Sequence, residues 1–413
     1  MANTIRDAVQ KLLPETEKFL CDLIRFPSTP GQEHELMLFV EEQFRKLGVT
    51  VERVALHESI KSDPDYSTPV PDIKYEGRFN LRLVRPGRGG GRKLLLNAHT
   101  DVVPPSEGML NAWSPRVEDG VVYGRGACDD KGQVALVYLL FKTLDALKIR
   151  LAGDIVAHLV VEEENGGNGT FARARTGENA YGCLVLEATD GKLCTSVRGA
   201  VWFRLVLHGK AGHSGAPGMS RSALLMARDA IAILEKYHAQ LLASSRGIPL
   251  FDPFPNPMPI TFGKLHSGTW PATAPSQAVI EGVQGLLPNK TKEQVMEEMR
   301  QALVQGGDEF FGRNFDLSFM YRHDSSVVDP QHELPQGVLA AAKKVGAPLE
   351  VSGMPASCDG WFYCNQLGIP SIVYGPGTLK VAHSKDEQIA MREIATAGEV
   401  LTHFVQEYCH TAR

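Results

Sequence analysis

The stretch Leu94-Leu95-Leu96-Asn97-Ala98-His99-Thr100-Asp101 reads as an apolar strand that ends in His-x-Asp. Side chains alternate along a strand, so His99 and Asp101 leave it on one face at its carboxyl end, the edge where open α/β sheets place their sites. A histidine beside a carboxylate is held in one tautomer and donates better to a metal; the plainer reading is a solvated polar strand end. Downstream, residues 132–147 carry apolar side chains at helical spacing, 155–161 is a nearly continuous apolar strand and 184–186 a short buried one. Strands alternating with helices set the class as α/β.

Upstream, residues 3–25 and 33–47 show the helical period through Val9, Leu12, Leu13, Phe19, Leu20, Leu23 and then Leu36, Phe39, Val40, Phe44, Leu47. Between them Phe26-Pro27-Ser28-Thr29-Pro30-Gly31 cannot continue a helix. Strands at 80–84 and 94–98 around the 86–91 turn predict a hairpin with a glycine-rich tip. From Val197 the pattern changes to strand 201–207, helix 222–237, strands near 258–267 and 277–284, helix 292–303 and strand 315–321. That β-α-β-β-α-β run predicts a ferredoxin-like unit, residues 197–324, inserted into a discontinuous first domain of residues 1–196 and 325–413. In the latter, helix 336–345, a strand at 372–374 and a last helix 391–408 resume the α/β pattern.

The chain has 413 residues, 43 Lys plus Arg against 48 Asp plus Glu, a net charge of −5 and 43% hydrophobic content. That balance excludes disorder and collagen, and the length suffices for two or three domains at about 150 residues each. Seven scattered cysteines with no CxxC pair exclude a disulfide framework and a zinc ribbon, so a cytoplasmic, reducing setting is expected. No uncharged apolar run reaches about 18 residues and the start is charged, so neither a membrane span nor a signal peptide is expected. The absence of a clustered basic face argues against nucleic acid as a partner. Missing GxGxxG and GKS/GKT motifs argue against a nicotinamide-dependent oxidoreductase or a P-loop enzyme.

Four further signals carry chemistry. Tyr123-Gly124-Arg125-Gly126-Ala127-Cys128-Asp129-Asp130-Lys131-Gly132 leads into a helix, where a carboxylate is favoured by the helix dipole; the alternative is an N-cap by Asp129 or Asp130. Glu162, Glu163 and Glu164 end the strand at 155–161, and like charges at one strand end call for cations or protons unless the turn is simply solvated. Glu187 follows the strand at 184–186, and His383 sits in a glycine-rich loop after Tyr374. Two imidazoles and several carboxylates without a cysteine signature suit a borderline or hard divalent pair, zinc first, with cobalt or manganese as alternatives.

His99-x-Asp101, GRGACDDKG at 124–132, EEENGGNGT at 162–170, Glu187, GKAGHSG at 209–215 and AHS at 382–384 together resemble the zinc-dependent family of acetylornithine deacetylases, succinyl-diaminopimelate desuccinylases, aminoacylases and glutamate carboxypeptidases. Gly268-Thr269-Trp270-Pro271 and Gly285-Leu286-Leu287-Pro288 resemble its deacetylase and desuccinylase-like branch. The resemblance covers nearly the whole chain. It implies a catalytic domain with a mixed, mostly parallel sheet between helices, and makes the inserted unit a lid and dimerisation domain. His99, Asp129 and Glu187 would hold one zinc, and Asp129, Glu164 and His383 the other, with a cis peptide after Asp129. Asp101 would orient His99, and Glu163 would be the general base that takes a proton from water. His213 would reach the neighbouring subunit's site in a homodimer and stabilise the oxyanion.

By the same resemblance the expected activity is removal of an N-acyl group from a small amine or amino acid. The alternatives are a dipeptidase or carboxypeptidase, an N-formyl or N-carbamoyl amide hydrolase, and a catalytically silent binding module. Peptidase-like relatives clamp a substrate carboxylate with an Asn and a later Arg; here Ala272-Thr273-Ala274-Pro275 and Gly285 stand in those places. Arg198, Arg204 and Arg322 are alternative anchors. Asp359 is open between meeting an amine and capping a helix, and Trp113 and Tyr123 between substrate contact and core.

Overall fold

The computed structural model describes residues 4–215 and 218–410, so Asn3, which opens the predicted 3–25 helix, lies outside the described residues. The first helix, α1 (Ile5–Ile24), starts on a capping box in which Thr4 and Asp7 exchange hydrogen bonds. It is followed by α2 (His34–Lys46), β1 (Thr50–Ala55), β2 (Phe79–Arg85), β3 (Leu94–His99), α3 (Lys131–Ala146), β4 (Ile155–Val160), α4 (Asn168–Arg175), β5 (Gly182–Val185) and β6 (Lys192–Val197). A second unit holds β7 (Gly199–His208), α5 (Ala223–Ser244), β8 (Ile260–Ser267), β9 (Gln277–Leu286), α6 (Lys292–Gly306) and β10 (Phe315–His323). The chain then returns through β11 (Ser326–Val327), α7 (Glu333–Val345), β12 (Glu350–Met354), β13 (Ser371–Val373) and α8 (Met391–Tyr408).

Among the described residues the main sheet has nine strands in the order β1-β2-β4-β3-β5-β13-β6-β11, with β12 beside β6. Its centre, β4-β3-β5-β13, is parallel. Every residue of β3 and β4 is buried, as expected for strands covered on both faces. One covering helix, α3, is buried almost all round and packs against α1, α8 and β3. The parallel strands bring His99, the Glu162–Glu164 turn and Glu187 to one edge, His99 as the last residue of β3 and the others just past β4 and β5.

The predicted hairpin between residues 80–84 and 94–98 is not formed: β4 lies between β2 and β3 and pairs with both. The fully buried β4 satisfies both backbone edges only as an inner strand. The glycine-rich stretch is a seam rather than a tip. Arg88 and Gly89 donate their N–H groups to Leu151 and Ala152 carbonyls, and a Cβ at Gly87 or Gly91 would collide with the backbone around Gly153.

The second unit is an antiparallel sheet in the order β8-β9-β7-β10. Alternate residues Val201, Phe203, Leu205 and Leu207 of β7 share a core with Met226, Ala230 and Leu234 of α5 and Val295, Met299 and Leu303 of α6. This β-α-β-β-α-β order is the ferredoxin-like arrangement expected from the sequence. No helix among the described residues is long and apolar enough to cross a membrane.

Candidate metal centre

His99 closes β3 with its Nε2 3.0 Å from Asp129 Oδ1 and 3.9 Å from Glu187 Oε1. Its Nδ1 lies 2.9 Å from the Asp101 backbone oxygen and 3.5 Å from the Asp101 carboxylate. A proton on Nδ1 serves these oxygens and leaves the Nε2 lone pair facing the cluster. Asp129 Oδ2 lies 3.1 Å from His383 Nε2, which is also 3.0 Å from Glu164 Oε1. One carboxylate therefore stands between two imidazoles. The donor atoms of His99, Asp129, Asp130 and Glu187 lie within 4.8 Å of one another, and so do those of Asp129, Glu164 and His383.

The surrounding backbone explains the placement. Asp101 accepts from the Glu163 and Glu164 amides at 3.0 Å each, so its carboxylate ties the glutamate turn to the end of β3 more directly than it orients the His99 ring. The three glutamates do not share one space. Glu162, at φ 60°, turns away to an ion pair with buried Arg78 and hydrogen bonds from the Tyr75 hydroxyl (2.9 Å) and Asn168 (3.1 Å). Glu387 accepts from the Asp129 amide at 3.2 Å and pairs with Arg125. Ser106 donates to the His383 carbonyl at 2.7 Å, and His383 holds φ 57°. The Asp129–Asp130 peptide is cis.

Neither Asp129 nor Asp130 acts as a side-chain cap: Asp130 stands at the N-cap of α3 without a capping hydrogen bond. Asp130 Oδ2 instead accepts from the His99 amide at 2.9 Å, and its other oxygen is buried without a partner. This support was missed in the sequence, where its only signal was adjacency to Asp129. Asp359 is likewise no side-chain cap; it accepts from the Thr170 hydroxyl at 2.6 Å with its second oxygen buried and unpartnered. Arg204 pairs with Glu281, and Arg322 donates to backbone carbonyls, among them Tyr66. Lys131 Nζ lies 5.5 Å from the Trp113 ring, and the Arg116 guanidinium 4.1 Å from the Tyr123 ring. His213 is not brought to the cluster within this chain: it is exposed on the short strand Gly212–His213, paired with Thr273–Ala274, and accepts from the Gly215 amide at 3.0 Å.

Among the described residues no lysine or arginine forms an ion pair with Asp129, Asp130, Glu163, Glu164 or Glu187, and the two imidazoles lie against Asp129, Glu164 and Glu187. Burial, with Asp359, Glu187 and Glu164 nearby, holds the Glu163 carboxyl well above the usual range against the pull of His99. Burial opposes the charged form of His383, but the Glu164 and Asp129 carboxylates outweigh it and push its pKa up to about 11. Buried carboxylates in excess of their cations, mixed with imidazole nitrogens and free of thiolates, form a donor set that fits a pair of divalent ions.

A model of peptidase family M20/M25/M40 matches residues 95–407. The chain belongs to that family. As an M20/M25/M40 member it is a hydrolase, and the cluster is a candidate two-metal site. It is 27% identical over 350 residues to N-formyl-4-amino-5-aminomethyl-2-methylpyrimidine deformylase of Halalkalibacterium halodurans, covering 77% of this chain and 80% of that protein. It is 26% identical over 402 residues to a protein of Arthroderma gypseum named "Probable carboxypeptidase", covering 91% and 81%. The fold is similar to that of the di-peptidase Dug1p of Saccharomyces cerevisiae, with a TM-score of 0.83 at 13% identity over 100% of both chains.

Proposed function

We propose that this chain is a dizinc amidohydrolase that removes the acyl group from a small N-acylated amine or amino acid. The observation that carries the reading is the Asp129 carboxylate held between His99 and His383, with the Glu163–Glu164 turn fixed beside it by Asp101. His99, Asp129 and Glu187 would hold one ion, and Asp129, Glu164 and His383 the second; cobalt or manganese would suit the same donors. Such ions, when bound, polarise an amide carbonyl and make water a nucleophile near neutral pH. Glu163 takes a proton from the attacking water and returns it to the amine nitrogen as the C–N bond breaks. In this reading residues 1–196 and 325–413 form the catalytic domain, and residues 197–324 the lid through which two copies form a homodimer in the cytoplasm. His213 then serves the partner's site by donating to the developing oxyanion.

The name of the H. halodurans relative places formamides among the acyl compounds to be tried. Removal of a terminal residue from a peptide by the same groups is the second reading, favoured by the carboxypeptidase-named relative. Primary-amine release is the deciding assay, run on N-formyl, N-acetyl, N-succinyl and N-carbamoyl compounds and on dipeptides, with zinc-loaded protein and Glu163→Gln as the blank. Turnover that vanishes in the variant supports the reading and names the acyl class. Equal turnover by Glu163→Gln overturns the mechanism.

A further inference from the structure

A cavity of about 480 Å³ is walled by the segment 347–349 between α7 and β12, the loop 374–378 after β13, and the first two turns of α8. None of its lining residues is one of those assigned to the ions or the base. Its volume is in the range of small-molecule sites. Tyr374 forms part of the wall, is only 4% exposed, and its hydroxyl has no hydrogen-bond partner among the described residues. Burial pushes the phenol up with no charged or hydrogen-bonding neighbour to oppose it, so it remains a proton donor at neutral pH. A buried hydroxyl without a protein partner is satisfied by water or by a ligand.

Charge on the wall comes as a pair of neighbours. Arg392, the second residue of α8, makes no ion pair and no side-chain hydrogen bond among the described residues. Glu393 accepts from the Gly377 amide at 3.0 Å through one oxygen, and no lysine or arginine among the described residues pairs with it. The helix begins without a side-chain cap at Ala390, so the positive end of its dipole adds to Arg392. The other carboxylate of the wall, Asp190, is already paired with Lys380 at 2.6 Å, and the Thr396 hydroxyl is spent on the Arg392 carbonyl at 2.9 Å. Ala347, Pro348, Leu349 and Ala397 add apolar surface. A guanidinium and a carboxylate on consecutive residues, each without an opposite charge from the chain, match a ligand that carries both signs on adjacent atoms.

We propose that this cavity is a second binding site, apart from the metal cluster, that takes a free amino acid with an uncharged side chain. The carboxylate goes to Arg392 and the Tyr374 hydroxyl, the ammonium to Glu393, and the side chain to the apolar surface of 347–349. Calorimetry on the full zinc-loaded chain uses L-leucine, with leucinamide as the analogue lacking the anion and 4-methylpentanoate as the one lacking the ammonium. Leucine is expected to bind at least about tenfold tighter than either. Arg392→Gln should bring the leucine-to-leucinamide ratio near one, Glu393→Gln should do the same for leucine against 4-methylpentanoate, and Tyr374→Phe should weaken leucine about threefold or more. Taking each ratio within one protein cancels any loss of folded material. No binding of leucine, ratios near one in the unaltered chain, or a ratio that survives its substitution overturns the proposal; the last result would assign leucine to another place on the chain. Binding is read without turnover, so amide hydrolysis can fail without touching this result.

Discussion

At Asp129 a single carboxylate faces two imidazoles through different oxygens, so the two halves of the cluster depend on one residue. Asp129→Ala is therefore expected to lose both ions together, read as metal content by emission spectrometry after gel filtration; retention of one ion per chain would show that the halves are independent. Glu163 is placed differently, since Glu164 and not Glu163 lies against His383. Glu163→Gln should keep both ions and lose about 10²–10⁴-fold in turnover, checked by metal analysis alongside the amine assay. Glu163 and Glu164 were legible because they stand just past an apolar strand, and Asp129 because it stands in a glycine-rich turn at the start of a helix. Their supports were not. Asp130, Glu387 and Asp359 act through backbone amides or hydroxyls distant in sequence, and no periodicity marks such a contact.

Between elements the clearest junction is Glu178, in the turn from α4 to β5, which draws Arg82 of β2, Arg173 of α4 and Lys93 to one buried carboxylate. Burial alone would raise its pKa, but His158 3.5 Å away and hydrogen bonds from Arg82 and Arg173 hold it far below the usual carboxylate range. A carboxyl whose folded pKa is depressed adds stability above its unfolded pKa, about 4.3, and loses it as pH falls further. Glu178→Gln should thus cost about 3 kcal/mol in urea unfolding at pH 7, with the gap to wild type narrowing below about pH 4; a gap independent of pH would assign the loss to packing. Helix positions were readable in advance because the apolar period of α1, α3, α5 and α8 is local. The order of strands was not, since β2 and β3 are neighbours in sequence and only the burial of β4 on both faces forces it between them.

For the whole molecule, the role proposed for the exposed His213 makes the number of chains in one site the quantity to test. The sheet of the second unit ends on β8, an open edge with Leu265 exposed, and Trp270 beside it is 70% exposed. An unpaired edge with apolar side chains around it is a surface that a second copy would cover in an isologous dimer. The elements of this sheet were legible in the sequence, but which strand would be left at its edge was not, because pairing across the sheet is not set by the local pattern. The proposed assembly predicts complementation. Glu163→Gln lacks the base, and His213→Ala lacks the group given to the partner. Each alone should be nearly inactive. Mixed in equal amounts, unfolded and refolded together, random pairing makes half the dimers hybrid, and one of the two sites in each hybrid has both groups intact. Recovery of about a quarter of wild-type activity, with sedimentation showing dimers, is the expected result. Full activity in His213→Ala alone, or no recovery on mixing, would confine each site to one chain.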